Sequence, residues 1–178
     1  RGGKAAFNEN CAPCHGIGGV GSLGFANLID DDWIWGGKLE QIQQTITHGI
    51  RSDDPKARAQ EMTKFGVDGV LKADEIEKVA DYVVTLNAGK GDAALPGAQI
   101  FADNCVACHS EGGVGNQDMG APALTNAIFT QIKGDRASIV AQVTNPKHGV
   151  MPSWAARLSP ETIKMLAIYV HSLGGGVK

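Results

Sequence analysis

Apolar residues recur at helical spacing in four stretches of the chain. Leu39, Ile42 and Ile46 stand three and four apart between Lys38 and Thr47, and Ile139 and Val143 do the same between Arg136 and Thr144. A longer stripe runs through Ile76, Val79, Ala80 and Val83, and a matching one through Ile163, Leu166, Ala167 and Val170. Ahead of the last stripe, Ser159-Pro160-Glu161 supplies an N-cap hydroxyl, a proline at the first helical position and an acid at the positive helix end. Gly174 is expected to stop that helix. Two shorter helices are expected at 3–13 and 97–107. No stretch sustains strict alternation, so the pattern predicts an all-α fold without a sheet.

The pattern repeats. At an offset of 94 residues, Gly3 matches Gly97, Phe7 matches Phe101 and Asn10 matches Asn104. Cys11-Ala-Pro-Cys14-His15 matches Cys105-Val-Ala-Cys108-His109, and Gly18-Gly19-Val20-Gly21 matches Gly112-Gly113-Val114-Gly115. This period suits two tandem domains rather than a solenoid. The small, Gly-bearing stretch from Asn87 to Pro96 reads as a linker. The expected domains are therefore 1–91 and 92–178. Within each, the Gly-x-x-x-Phe helix is expected to cross the last helix, Gly3 and Phe7 against Tyr82, Gly97 and Phe101 against Tyr169.

Composition sharpens this. Hydrophobic residues make up 43% of the 178, aromatics only 6%, and there are 24 glycines. Cores this poor in large side chains need something besides protein to fill them. The formal charge is −3, with no basic stripe, so nucleic acid is not an expected partner. The charge is uneven: residues 1–92 hold ten Lys and Arg against fourteen Asp and Glu, the remainder six against five. The first half is thus the expected docking face for a basic partner. The chain opens at Arg1 and shows neither a signal peptide nor an apolar run near the ~18 residues of a membrane span. The expectation is a trimmed or processed product.

Cys-x-x-Cys-His is the attachment signature of c-type haem. Thiols at i and i+3 share one side of a helical turn, where each can bond one porphyrin vinyl group. The adjacent imidazole then reaches the iron from below. The expected cofactors are two covalently bound haem c groups, one on Cys11 and Cys14, the other on Cys105 and Cys108, with His15 and His109 as axial ligands. A zinc site would bring two Cys pairs within ~15–20 residues, a thioredoxin-like pair would need a βαβ unit, and disulfides would leave both histidines unexplained.

The far face of each iron wants a soft ligand, and methionine thioether raises the potential. In the second repeat Met151, within His148-Gly149-Val150-Met151-Pro152, is favoured over Met119 and over Met165, which sits inside the last helix. Met62 is the sole methionine of the first repeat. There His48-Gly49-Ile50 is followed by the charged stretch from Arg51 to Glu61, read as a solvated insertion. His48 and His148 are alternative ligands, or else shape the loop or bond a propionate. Trp33, Trp35 and Trp154 suit either haem-edge packing or plain core. His171 reads as an exposed helix residue, and Asp30-Asp31-Asp32 as a helix start or solvated turn.

Asp32-Trp33-Ile34-Trp35-Gly36-Gly37, Gly120-Ala121-Pro122-Ala123-Leu124-Thr125, His148-Gly149-Val150-Met151-Pro152-Ser153-Trp154 and the closing stretch Ala167 to Gly175 carry a family resemblance. Over essentially its whole length the chain resembles subunit III, the dihaem subunit, of cbb3-type cytochrome c oxidase. The resemblance implies His15 with Met62 at one iron and His109 with Met151 at the other. It implies an N-terminal membrane anchor, a periplasmic setting, and as partners a donor c-type cytochrome and the catalytic and monohaem subunits of the oxidase. Met62-Thr63-Lys64 departs from the family's Met-Pro pattern. The expected function is relay of single electrons from the donor to the oxidase core, with no catalytic residue of its own. The rivals are a freely soluble dihaem shuttle, a haem enzyme or gas sensor with an open distal site, and a structural zinc or disulfide protein.

Overall fold

The computed structural model describes residues 2–126 and 128–174, so the Gly175 end of the closing stretch lies outside the described residues. Eight α-helices account for the regular structure: α1 Gly2–Asn10, α2 Ala12–His15, α3 Leu39–His48, α4 Ala73–Asn87, α5 Pro96–Asn104, α6 Val106–His109, α7 Arg136–Thr144 and α8 Pro160–His171. No strand occurs among the described residues, in keeping with an all-α reading.

The helix ends follow from local chemistry. Ser159 Oγ accepts from the Thr162 amide at the start of α8, and the Asp135 carboxylate accepts from the Ser138 amide at the start of α7. Gln41 and Glu75 reach back to the amides of Lys38 and Lys72, half of a capping box each. α8 stops at His171, with Ser172 as its cap, three residues before Gly174. The helices expected at 3–13 and 97–107 are each broken at the first cysteine of the motif. Both breaks follow an asparagine whose side-chain amide donates four residues back, Asn10 to Ala6 O and Asn104 to Ile100 O. That bond competes with the backbone for the carbonyl. Pro13 is not the cause, because Ala107 stands in its place in the second copy.

The four stripes are buried as the periodicity required, except that Leu39, at the first position of α3, is exposed. Ile42 and Ile46, Ile139 and Val143, Ile76 to Val83 and Ile163 to Val170 all belong to the core. Their partners differ from the expected ones. The chain forms two compact units, but these are not the halves 1–91 and 92–178. Unit 1 is residues 1–60 with 149–178, and unit 2 is the intervening Glu61–His148. The chain passes from unit to unit twice, at Gln60–Glu61 and at His148–Gly149.

In unit 1, α8 packs against both α1 and α3. In unit 2, α4 packs against α5 and α7. The two crossings are therefore exchanged relative to the tandem expectation. Gly3 meets Tyr169, where a methyl at Gly3 would stand 2.9 Å from the tyrosine Cβ and collide with the Met165 carbonyl. Gly97 meets Tyr82, where a methyl would lie 3.0 Å from its Cβ and strike the Lys78 carbonyl. The rings follow suit: Phe7 lies 5.3 Å from Tyr169, and Phe101 lies 5.3 Å from Tyr82. The physical reason is that the α4 and α8 stripes are interchangeable at the level of pattern, so chain connectivity chooses. Only residues 88–95 separate α4 from α5, so their packing against each other closes a short loop.

Two outcomes check this arrangement. Nuclear Overhauser contacts in the reduced protein should link Phe7 to Tyr169 and Phe101 to Tyr82, with none from Phe7 to Tyr82. Gly97→Ala should destabilise unit 2 by about 1–3 kcal/mol in denaturant unfolding, since the added methyl strikes the Lys78 carbonyl, which cannot turn aside as a side chain could.

Candidate cofactor sites

Each motif is a short helix followed by a tight Gly-rich loop, and the two copies are built alike. Backbone bonds from His15 N to Cys11 O and from His109 N to Cys105 O close the turn, both at 2.9 Å. The next residue takes a left-handed conformation, φ 77° at Gly16 and φ 65° at Ser110. The chain then doubles back, with Gly21 donating to His15 O and Gly115 to His109 O. Leu28 donates to Gly19 O and Leu124 to Gly113 O, both at 2.7 Å. These bonds carry the chain past the imidazole. As a result His15 Nδ1 lies 2.9 Å from Ala26 O, and His109 Nδ1 lies 2.9 Å from Pro122 O.

That contact settles which nitrogen faces the site. A carbonyl can only accept, so Nδ1 carries the proton and Nε2 presents its lone pair. Burial pushes the His109 pKa down, against the pull of the Pro122 carbonyl, which keeps the ring in the neutral, ligating form. Burial, and then the neighbouring thiol, push Cys11 up to about 11 and Cys105 up to about 12. Both thiols are free and protonated at neutral pH.

The surroundings fit a large flat apolar group. Ile17, Val20, Leu23, Phe25 and Ile29 are all exposed on the loop after His15, and Val114 on the loop after His109. Single exposed hydrophobics are ordinary, but a run of five on one loop has surface to cover. Thiols, a free imidazole nitrogen and a thioether in each unit form a soft donor set suited to a haem. By contrast, no group of three or more His, Cys, Asp or Glu converges among the described residues. The cysteine pairs fall in separate units.

The methionines correct the expected pairing. Met151 packs against the core of Phe7, Ile42, Ile46, Ile163 and Leu166, together with Cys11, Trp33 and Trp154. Met62 packs against the core of Phe65, Leu71, Ile76, Phe101 and Val143, together with Cys105 and Val106. Met151 thus shares a unit with Cys11, Cys14 and His15, and Met62 shares one with Cys105, Cys108 and His109. The expected sets, His15 with Met62 and His109 with Met151, are each divided between units. Met62 lies ahead of α4 and Met151 ahead of α8, so when α4 and α8 change places the thioethers change with them.

Met119 lies in the 116–121 turn, and Met165 is exposed on α8 over Gly2. Met151 is fixed by paired backbone bonds, its N–H to Ile50 O at 3.0 Å and its C=O from Ile50 N at 2.9 Å. Met62 N–H donates to His148 Nε2 at 3.0 Å. His48, the repeat counterpart of His148, instead has Nδ1 at 3.0 Å from Asp54 Oδ2.

The stretch Arg51 to Glu61 is more ordered than a solvated insertion. Arg51 N donates to Arg58 O and Arg58 N to Gly49 O, which folds the loop back on itself. Arg58 sits 5.1 Å over the Trp35 ring and bonds Thr45 Oγ1, and Arg51 donates to both Gly149 O and Gln60 O. Arg51, with φ 51°, ties together the two places where the chain leaves and re-enters unit 1. Nothing in the local sequence signals this role, because its partners are backbone carbonyls 9 and 98 residues away. Trp33 and Trp154 join the unit 1 core. His171 is half-buried at the end of α8, and Asp30-Asp31-Asp32 forms a turn in which Asp30 accepts from the Asp32 amide.

Two Cys-x-x-Cys-His motifs set in helical units, each with an imidazole whose Nδ1 meets a carbonyl and with a thioether in the same unit, are the donor sets of a c-type cytochrome. The chain belongs to the family Cytochrome C oxidase, cbb3-type, subunit III, which matches residues 1–83 and 92–170. It is 54% identical over 177 residues to the cbb3-type cytochrome c oxidase subunit FixP of Bradyrhizobium diazoefficiens and 56% identical to FixP of Azorhizobium caulinodans. It is 51% identical to subunit CcoP of Cereibacter sphaeroides. These alignments cover 98% of this chain and 59–61% of the relatives' length. Among the described residues no helix is long and apolar enough to cross a membrane.

The His48–Asp54 pair gives a pH expectation. The bond from His48, and then the Lys56 amide, hold the Asp54 carboxyl below the usual carboxylate range. A depressed carboxyl contributes stability above its unfolded pKa and loses it as pH falls through the folded value. Amides of residues 49–58 should therefore exchange faster only below about pH 4 in the wild type, and already at pH 7 in Asp54→Asn.

Proposed function

We propose that the protein binds two covalent haem c groups, one per unit, and relays single electrons from a donor c-type cytochrome to the catalytic core of a cbb3-type oxidase. Cys11 and Cys14 hold the haem of unit 1, and Cys105 and Cys108 that of unit 2. His15 with Met151 ligates one iron, and His109 with Met62 the other. The observation that carries this reading is the placement of one thioether, one neutral imidazole and one Cys-x-x-Cys pair in the same unit, twice.

The iron, when bound, supplies the redox couple between Fe(II) and Fe(III). The chain's own residues supply the rest. The Ala26 and Pro122 carbonyls orient the imidazoles and make them better donors. The Met151 and Met62 thioethers would hold the iron and favour Fe(II), which speaks against a peroxidase or a gas sensor. The porphyrin completes two cores that hold few large side chains, among them Phe7, Phe65 and Phe101. No residue is proposed to act on a substrate. Kinship with FixP and CcoP favours an oxidase subunit over a freely soluble shuttle, and with it catalytic and monohaem partner subunits, an N-terminal anchor and a periplasmic face.

The exchange moves the acidic surface. Unit 2 carries seven Lys and Arg against eleven Asp and Glu, and unit 1 nine against eight. A basic donor is thus attracted to unit 2, not to the first half of the sequence. Reduction of the unit 2 haem by a basic donor cytochrome should slow as ionic strength rises, with little change at the unit 1 haem.

Removing one attachment site at a time tests the ligand sets. In a Cys11→Ala, Cys14→Ala protein that carries only the unit 2 haem, Met62→Ala should abolish the thioether–iron absorption band and lower the potential. Met151→Ala should leave both unchanged. The opposite result would restore the tandem pairing, and a preparation without haem absorption would end the proposal.

A further inference from the structure

We infer that His148 is a positioning residue for the Met62 thioether, holding the methionine on the unit 2 iron through a hydrogen bond to its backbone amide. The inference rests on the reading of Met62 as an axial ligand. Met62 N–H donates to His148 Nε2 at 3.0 Å, joining residues 86 apart at the two ends of unit 2. Unit 2 begins at Glu61 and ends at His148, so this bond closes the unit where the chain enters and leaves it.

The two units solve the same problem differently. Met151 N–H is held by a backbone carbonyl, that of Ile50, within a reciprocal pair of bonds. Among the described residues Met62 has no reciprocal backbone pair of this kind, and Thr63 follows where proline follows Met151. A flexible Met-Thr-Lys segment samples ligand-off positions unless its amide is tethered. His148 supplies that tether from a side chain. His48 stands at the equivalent place of the first repeat, yet its ring is turned to Asp54. The same residue of the repeat therefore has two tasks, and only one of them concerns a ligand.

A neutral hydrogen bond of ordinary strength shifts a two-state equilibrium about fivefold. Its loss raises the ligand-off population of unit 2 by that factor, and an exogenous ligand reads this directly. Imidazole titration of the oxidised dihaem protein should show about fivefold tighter binding at the unit 2 haem in His148→Ala. The unit 2 haem is identified as the one whose thioether band Met62→Ala removes. The unit 1 haem should be unchanged. His148→Gln, whose amide oxygen reaches the Nε2 position, should restore the wild-type affinity and potential. His148→Asn, equally polar but too short, should behave as His148→Ala and covers the case in which the alanine variant does not mature.

Equal imidazole affinity in wild type, His148→Ala and His148→Asn would overturn the inference, as would equal loosening by Gln and Asn. If Met62→Ala leaves the unit 2 spectrum intact, the ligand assignment itself falls, and the inference falls with it.

Discussion

The constraint on which the structure depends is the closeness of backbones at two glycines. Gly3 on α1 and Gly97 on α5 each lie so near a partner helix that a methyl group would strike a main-chain carbonyl. A crossing this tight fixes the angle and depth at which α1 meets α8 and α5 meets α4. The cysteine motif begins one residue after each of these helices ends, so the crossing also aims the motif. The phenylalanine one turn on, Phe7 or Phe101, seals the contact against a tyrosine ring. The loop after the histidine then returns to place a carbonyl on Nδ1. Imidazole orientation is the last step in a chain of backbone contacts that starts at one missing side chain.

Because both repeats carry this device, either terminal helix satisfies either crossing. The chain resolves the ambiguity through connectivity. α4 is joined to α5 by eight residues, 88–95, and folds back on it, which leaves α1 and α3 to be covered by α8. Domain exchange of this kind costs little when the exchanged parts are alike. Its consequences reach the chemistry, since Met62 precedes α4 and Met151 precedes α8. Each unit then combines a Cys-x-x-Cys-His motif from one repeat with a thioether from the other, and the segments at the crossings acquire structural tasks. Arg51 spans Gly149 and Gln60 on one side, and His148 receives Met62 on the other.

Exchange also redistributes charge. By position in the sequence the first half is acidic, yet the acids of α4, Asp74, Glu75, Glu77 and Asp81, reside in unit 2. There Arg136 of α7 pairs with Glu77 and Asp81 and joins α7 to α4. A charge average taken along the chain misplaces the surface a partner would meet, because electrostatics follows position in space.

The sequence by itself determined the helices, the buried stripes and the four cysteines and two histidines of the sites. These rest on spacings of three and four residues, over which helical geometry leaves no choice. It also marked Met62 and Met151 as the candidate thioethers, since each lies just before a terminal helix. It missed the break at Cys11 and Cys105, beside which an asparagine side-chain amide bonds a carbonyl four residues back, and the order in the Arg51 to Glu61 loop, whose anchors are distant carbonyls. Only the tertiary structure decided which terminal helix covers which motif, and so which methionine shares a unit with which histidine. Two near-identical stripes encode two near-equal solutions, and the difference between them lies in loop closure, a property of the connected chain that no local pattern contains.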